Sequence, residues 1–171
     1  VETWDAIRAR RNVRAYEDRP IARTDLERIL EAGRRSPSAA NRQSWDFVVV
    51  TDGAQLQELS RVWQYGRHVA SSAATVGLVA PIPADGGDRD GTLYDLGQAT
   101  MSMMLAAADL GIGSCHSSVG DQEQARKVLG LPDDRFCAYL VAFGYPADRQ
   151  LAPIMHPNRR PFEDVVHWDH W

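Results

Sequence analysis

Lysine is almost missing from this chain: Lys127 is the only one, and all other fixed positive side-chain charge is arginine. That skew reflects genomic base composition more than selection for guanidinium chemistry, so no function is read from it. Cysteine is scarce too. Cys115 and Cys137 are too few for a disulfide framework, and the opening residues carry neither the basic n-region nor the apolar h-region of a signal peptide, so a cytoplasmic protein is expected. Every apolar run is broken by Gly, Ser or a charge before the roughly 18 residues that a membrane span requires, and no contact with a membrane is expected. Excess positive charge is also lacking: a net charge of −4 argues against general nucleic-acid binding, whose affinity comes from neutralising phosphates. No Gly-x-Gly-x-x-Gly fingerprint with a downstream acid is present, which removes a dehydrogenase with its own dinucleotide domain.

A chain of 171 residues is one domain that can bury a single core. Thr24 with Glu27 reads as a capping box, and Leu26, Ile29, Leu30 and Gly33 mark one face of a helix that runs to the break at Ser36-Pro37. Phe47 to Thr51 reads as a strand, 54–63 as a helix and Ala74 to Ala80 as an apolar strand. The segment Pro81 to Gly91, dense in Gly and Asp, reads as a loop and as the best candidate for a mobile lid. From Leu96 onward the apolar positions cover nearly every side of a helix, so it must be buried in a core or a subunit interface; at this chain length the interface is favoured. Ile112 to Val119 follows as a short strand or loop, Asp121 to Leu129 as a capped helix closed by Gly130, and Phe136 to Phe143 as a continuous apolar strand. The remainder, about 150–171, carries Pro153, Pro157 and Pro161 and no core pattern, so it is expected to extend over a neighbouring surface.

Three segments carry the chemistry. Ser36 to Asp52 joins a Pro-broken polar loop directly to a buried strand; Pro37 biases Ser36 to an extended conformation, while Ser38, Asn41 and Gln43 can both donate and accept hydrogen bonds. Such a mixed edge suits a heterocycle with alternating carbonyls and ring nitrogens, as in a flavin pyrimidine ring. Ile7 to Tyr16 places Arg10, Arg11 and Arg14 around the end of a first helix, where guanidinium forks match phosphate oxygens; an isolated pair would more often be a solvated basic face. Tyr94 to Cys115 is the long helix running into a Gly-rich turn. The neighbours Cys115 and His116 do not read as a nucleophile pair, because adjacent residues of an extended segment point to opposite faces. His167, Asp169 and His170 read as an exposed terminus rather than a metal site, and Trp168 and Trp171 as packing against a partner.

Taken in order, Arg-Arg-Asn-Val-Arg, Ser-Pro-Ser-Ala-Ala-Asn-Arg-Gln-Ser-Trp, Asp-Leu-Gly-Gln-Ala with Leu-Ala-Ala-Ala-Asp-Leu-Gly-Ile-Gly-Ser-Cys, and Asn158-Arg-Arg-Pro-Phe-Glu-Asp-Val-Val resemble the FMN-dependent nitroreductase family across nearly the whole chain. The resemblance implies a single FMN-binding α+β domain. Its expected form is a three-layer α/β/α sandwich with a mixed, mostly antiparallel central sheet flanked by helices, in a homodimer interlocked around the long helix. It further implies that Arg10, Arg11 and Asn12 hold the FMN phosphate together with Arg159 and Arg160 from the C-terminal arm. Arg14 would lie at the flavin N1 and O2 edge, where a fixed cation stabilises the negative charge of two-electron reduction. Pro37, Ser38, Ala39, Asn41 and Gln43 would come from the opposite subunit, making each site composite, and backbone groups of His116, Ser117 and Ser118 would face flavin N5. The family commonly has Ser where this chain has Asn12. Chemistry carried by FMN itself calls for no catalytic side chain and no metal. The expected activity is NAD(P)H-dependent, ping-pong reduction of nitroaromatics, quinones or similar flat acceptors. Two other readings remain open: a flavin-binding protein without turnover, and a specialised relative such as a dehalogenase, a heterocycle dehydrogenase or a flavin-fragmenting synthase.

Overall fold

The computed structural model describes residues 2–171. Its helices are α1 (Thr3–Ala9), α2 (Arg23–Arg34), α3 (Gly53–Leu59), α4 (Arg67–Ala70), α5 (Gly86–Asp109) and α6 (Gln122–Leu129), and its strands are β1 (Asp46–Val50), β2 (Ala74–Pro81), β3 (Gly113–Ser118) and β4 (Arg135–Gly144). The strands form one sheet in the order β1-β2-β4-β3, and every pairing within it is antiparallel. The only parallel element among the described residues is a single bridge between Asn12 and Ser114.

β2 and β4 sit in the middle because both of their faces are apolar. Seven consecutive residues of β2 are buried, the continuous pattern of a strand covered on two sides. On one face Val76, Leu78, Val141 and Phe143 pack with Leu26 and Ile29 of α2 and with Leu96 and Met103 of α5. On the other, Leu140 and Ala142 pack with Leu56 and Leu59 of α3, Val69 of α4, and Ala125 and Leu129 of α6. The three-layer α+β sandwich expected from the resemblance is therefore present, built on an antiparallel sheet.

Two terminus signals worked differently from the sequence reading. Thr24 and Glu27 do not form a capping box: α2 begins at Arg23 with Ala22 as an N-cap that makes no side-chain bond, and the Glu27 carboxylate accepts from Arg23 Nε at 2.8 Å. Conversely, most of Pro81 to Gly91 is not a loop or lid. Pro81 ends β2, and α5 begins at Gly86 because Asp85 accepts from the Asp88 amide at 2.9 Å while Asp88 accepts from the Ala84 amide at 3.2 Å. The two carboxylates satisfy one donor in the first turn and one just ahead of the cap, much as a capping box does, so Asp density here starts a helix.

The segment between α1 and α2 is pinned to the start of β3. The Val13 amide donates to the Ser114 carbonyl at 3.0 Å, Tyr16 Oη donates to the Val13 carbonyl at 2.7 Å, and Val13 is fully buried. Gly113 permits this approach, since a Cβ there would lie 2.6 Å from Val13 Cγ2. After β4 the chain returns along the same segment: Ala147 bonds to the Ala15 carbonyl and Ile154 to the Arg8 carbonyl. From 156 onward it is almost wholly exposed, with Phe162, Trp168 and Trp171 open to solvent.

Gly113→Ala should destabilise the fold by about 1–3 kcal/mol through overpacking, read as a lower urea midpoint. Val13→Ala added to it should restore part of that loss, and additive costs for the two changes would show that the contact is not the cause.

Candidate functional site

Arg10 is the C-cap of α1, and the tether of Val13 to Ser114 brings it to the outer edge of β3. There it lines a cavity of about 430 Å³ together with His116 of β3, Tyr139 of β4, and Leu93, Gly97, Thr100, Met101 and Met104 of α5. The walls are mainly apolar, with a guanidinium and an imidazole among them. Asn12 stands beside Arg10, whose Nη1 donates to Asn12 Oδ1 at 3.3 Å. Because β3 is an edge strand, its outward peptide groups are not all used. The Ser114 carbonyl faces out to accept from Val13, and the two-residue alternation of an antiparallel strand turns the peptide groups of His116 and Ser118 to the same side. Ser117 is nine-tenths buried or more and points its peptide group toward β4.

Arg11 is engaged elsewhere. Its Nη2 donates to Asp148 Oδ1 and to the Arg149 carbonyl, each at 2.7 Å, tying the exit from β4 to the segment after α1. That contact holds the Asp148 carboxyl down at about 2. Arg14 lies near Cys115 and His68, and its charge helps keep the His68 imidazole neutral; burial is the larger cause. His68 is buried on α4 with neither ring nitrogen hydrogen-bonded, and nothing in its local sequence marked it. The Cys115 thiol is buried and pushed up by desolvation, whereas the His116 side chain is exposed, so the two side chains face opposite sides of β3 as the alternation required.

The polar loop does not reach this cavity. Pro37, Ser38, Ala39, Asn41 and Gln43 lie across α5, with Ala40, Asn41 and Gln43 at φ of 50°, 55° and 51°. Ser38 Oγ accepts from the Gln43 amide at 2.9 Å, and Gln43 Nε2 donates to Asn41 Oδ1 at 3.1 Å. Ser36 and Ala39 bond to Ser102 and Asp95 of α5. Since helix residues turn by about 100° each, Asp95 and Ser102 stand on the flank of α5 opposite Leu93, Thr100 and Met104, which line the cavity. Between the two flanks an exposed stripe starts at the cavity's margin with Gly97 and Met101 and runs on to Tyr94. Arg159 and Arg160 are not among the residues that line the cavity; they bond to the Asn158 and Asp164 carbonyls within the arm.

The model of the Nitroreductase family matches residues 7–71 and 63–145. The chain belongs to that family. Among its relatives, a protein of Archaeoglobus fulgidus provisionally named NADH dehydrogenase/NAD(P)H nitroreductase is 32% identical over 174 residues, covering 99% of each chain. An NADH dehydrogenase of Thermus thermophilus is 30% identical, covering 93% of this chain and 92% of its own. In fold, an FMN-dependent nitroreductase of Clostridium difficile superposes with a TM-score of 0.84 at 22% identity, over 97% of this chain and 98% of its own. The NADPH:FMN oxidoreductase of Vibrio harveyi, complexed with NAD+, does so with a TM-score of 0.84 at 24% identity, over 97% of this chain and 76% of its own. Among the described residues of this nitroreductase-family chain, no helix is long and apolar enough to cross a membrane.

A depressed acid adds stability above its ordinary pKa and loses it as pH falls through the folded value. The Arg11–Asp148 tie should therefore hold from neutral pH to about 4 and release toward about 2, the value to which the Asp148 carboxyl is drawn. Carboxyl NMR should find Asp148 titrating near about 2 and returning to the ordinary aspartate range in Arg11→Gln; an ordinary value in the unaltered protein would refute the tie.

Proposed function

We propose that this chain is a single-domain flavoenzyme. In this reading it is an FMN-dependent oxidoreductase acting as a homodimer with two composite sites, taking electrons from NADH or NADPH and passing them in a ping-pong sequence to nitroaromatics, quinones or similar flat acceptors. The observation that carries this reading is the split across α5. One flank lines a cavity with Arg10 and His116, the other carries the polar loop, and the stripe between them is apolar and exposed. A second copy packed on that stripe about a two-fold axis would bring its loop to the cavity of the first.

The residues fit FMN in chemistry and in size. A cavity of about 430 Å³ falls within the range of small-molecule sites, and its apolar walls suit a flat ring. Arg10 and Asn12 at its rim would take the phosphate. Arg11 would contribute charge from its tethered position beside Asp148, and Arg159 and Arg160 would join them from the exposed arm, whose Phe162, Trp168 and Trp171 would pack on a neighbouring surface. Arg14 would supply positive charge near the pyrimidine edge. Pro37, Ser38, Ala39, Asn41 and Gln43 of the other protomer would cover that edge with donors and acceptors. The outward peptide groups of His116 and Ser118 would bond the ring edge, while Ser117 would support them through the sheet. When bound, FMN supplies the electron transfer, which is why no acid–base pair need be sought.

Only Ile82–Asp85 lie outside regular structure between β2 and α5, so no helical cover is inserted there. An open site accepts flat molecules in turn, which favours the permissive acceptor range over a substrate-enclosing relative.

The purified protein should show a flavin spectrum, with or without added FMN, that bleaches anaerobically with NADH or NADPH and recovers on adding a quinone. Arg10→Ala should weaken FMN binding by roughly 10- to 100-fold, as for loss of a hydrogen bond to a charged group. Flavin that stays oxidised would move the function to a binder without turnover, and no flavin binding at all would overturn the site.

A further inference from the structure

The polar loop is fastened to α5 at three points with a regular spacing. Ser36 Oγ donates to Ser102 Oγ at 2.8 Å, the Ala39 amide donates to the Asp95 carboxylate at 3.0 Å, and Arg42 pairs with Asp88 at 3.7 Å. Along the loop these residues step by three; along α5 their partners step back by seven. Seven helical residues rise about 10.5 Å and return to nearly the same face, while three extended residues reach about 10 Å. The stretch from Ser36 to Ala39 thus runs antiparallel to α5 at a matching advance, with Ser38 extended at φ −143° and ψ 155°. The turn beyond advances little, and the long Arg42 side chain spans the rest.

Asp95 is the middle fastening and the one at the turn itself. Immediately after Ala39 come Ala40 and Asn41, and then Gln43, all at positive φ, a conformation that non-glycine residues rarely hold. Strained backbone of this kind persists only when its surroundings fix it. Within the loop the Asn41 amide donates to the Ser38 carbonyl, the Gln43 amide to Ser38 Oγ and the Arg42 amide to the Ala39 carbonyl, while Gln43 Nε2 donates to Asn41 Oδ1; three of these four bonds end on Ser38 or Ala39, where Asp95 takes hold. Both carboxylate oxygens of Asp95 lie within 3.3 Å of the Ala39 amide, and Gln98 Nε2 donates to the same carboxylate at 3.5 Å.

We propose that Asp95 is a positioning residue for this loop. From α5 it holds Ser38, Asn41 and Gln43 in the strained turn that presents them outward, and so it controls the cofactor affinity of a site it does not touch. The functional half of this inference rests on the flavin reading above. It also gives α5 a second task, since the helix that walls one site would set the loop donated to the other.

The test uses Asp95→Ala and Asp95→Asn in the full chain, with hydrogen exchange on the flavin-free protein and FMN titration on both variants. Asp95→Ala should raise exchange across 39–43 by about tenfold or more while the sheet and α5 keep their protection, and it should weaken FMN binding by about tenfold. Asp95→Asn keeps an oxygen acceptor for the Ala39 amide and should recover most of both losses. Unchanged loop exchange in Asp95→Ala would overturn the proposal, as would a rise spread evenly over α5 and the sheet, which marks a general packing role. Looser exchange with unaltered FMN affinity would overturn the control of cofactor binding. If the unaltered protein takes up no FMN, the flavin reading falls and the exchange measurement still decides whether Asp95 orders the loop.

Discussion

A helix of 24 residues in a chain of this size has to find a use for every side of its surface, and α5 does so. One side buries Leu96, Ala99, Met103 and Ala107 against the sheet and α2, with Gly33 allowing close approach to Met103. The seam of Asp88, Asp95 and Ser102 takes the polar loop. A third side walls the cavity out to Met101 at its margin, and beyond it Tyr94 stays exposed. Because α5 is also packed on β2 and β4, the placement of loop and cavity relative to each other follows from the rigidity of one helix.

The cavity depends on a second constraint, the docking of the segment after α1 onto the edge of β3. Val13 fits only because Gly113 has no side chain, and Tyr16 closes the turn by bonding to the Val13 carbonyl. That docking brings Arg10 and Asn12 to an edge strand whose outer side carries the peptide groups of His116 and Ser118 beyond the Ser114 carbonyl that Val13 uses, so a guanidinium and neutral polar groups stand around one apolar hollow. Under the flavin proposal, fixed donors around a hollow of low polarity would tune the bound cofactor without reacting themselves. Arg11, bound to Asp148, keeps the β4 exit beside this segment.

Much of this was legible in the residues. The apolar runs of β2 and β4 and the amphipathic α2 announced their elements, and the ordered motifs announced the family. The start of α5 was not legible as a helix, because Gly86, Gly87 and Gly91 have low helix propensity, which the Asp85 cap on the Asp88 amide and the reach of Asp88 back to the Ala84 amide offset. The capping box read at Thr24 failed for the converse reason: the pattern was present, but Arg23 drew the Glu27 carboxylate away. His68 went unnoticed since a lone histidine in a polar stretch carries no periodic signal.

What the sequence determined by itself was local: which segments bury their faces, which carry guanidinium groups, and which loop mixes donors with acceptors. These follow from side-chain chemistry and from period-two and period-3.6 repeats that neighbouring residues define. Only the tertiary structure decided that Arg10 and His116 share a cavity while Arg11 is bound to Asp148, and that the loop and the cavity lie on opposite flanks of α5. Those facts depend on contacts between residues far apart in the chain, on a glycine that lets Val13 approach, and on the turn per residue of a helix, and no short stretch of sequence contains them.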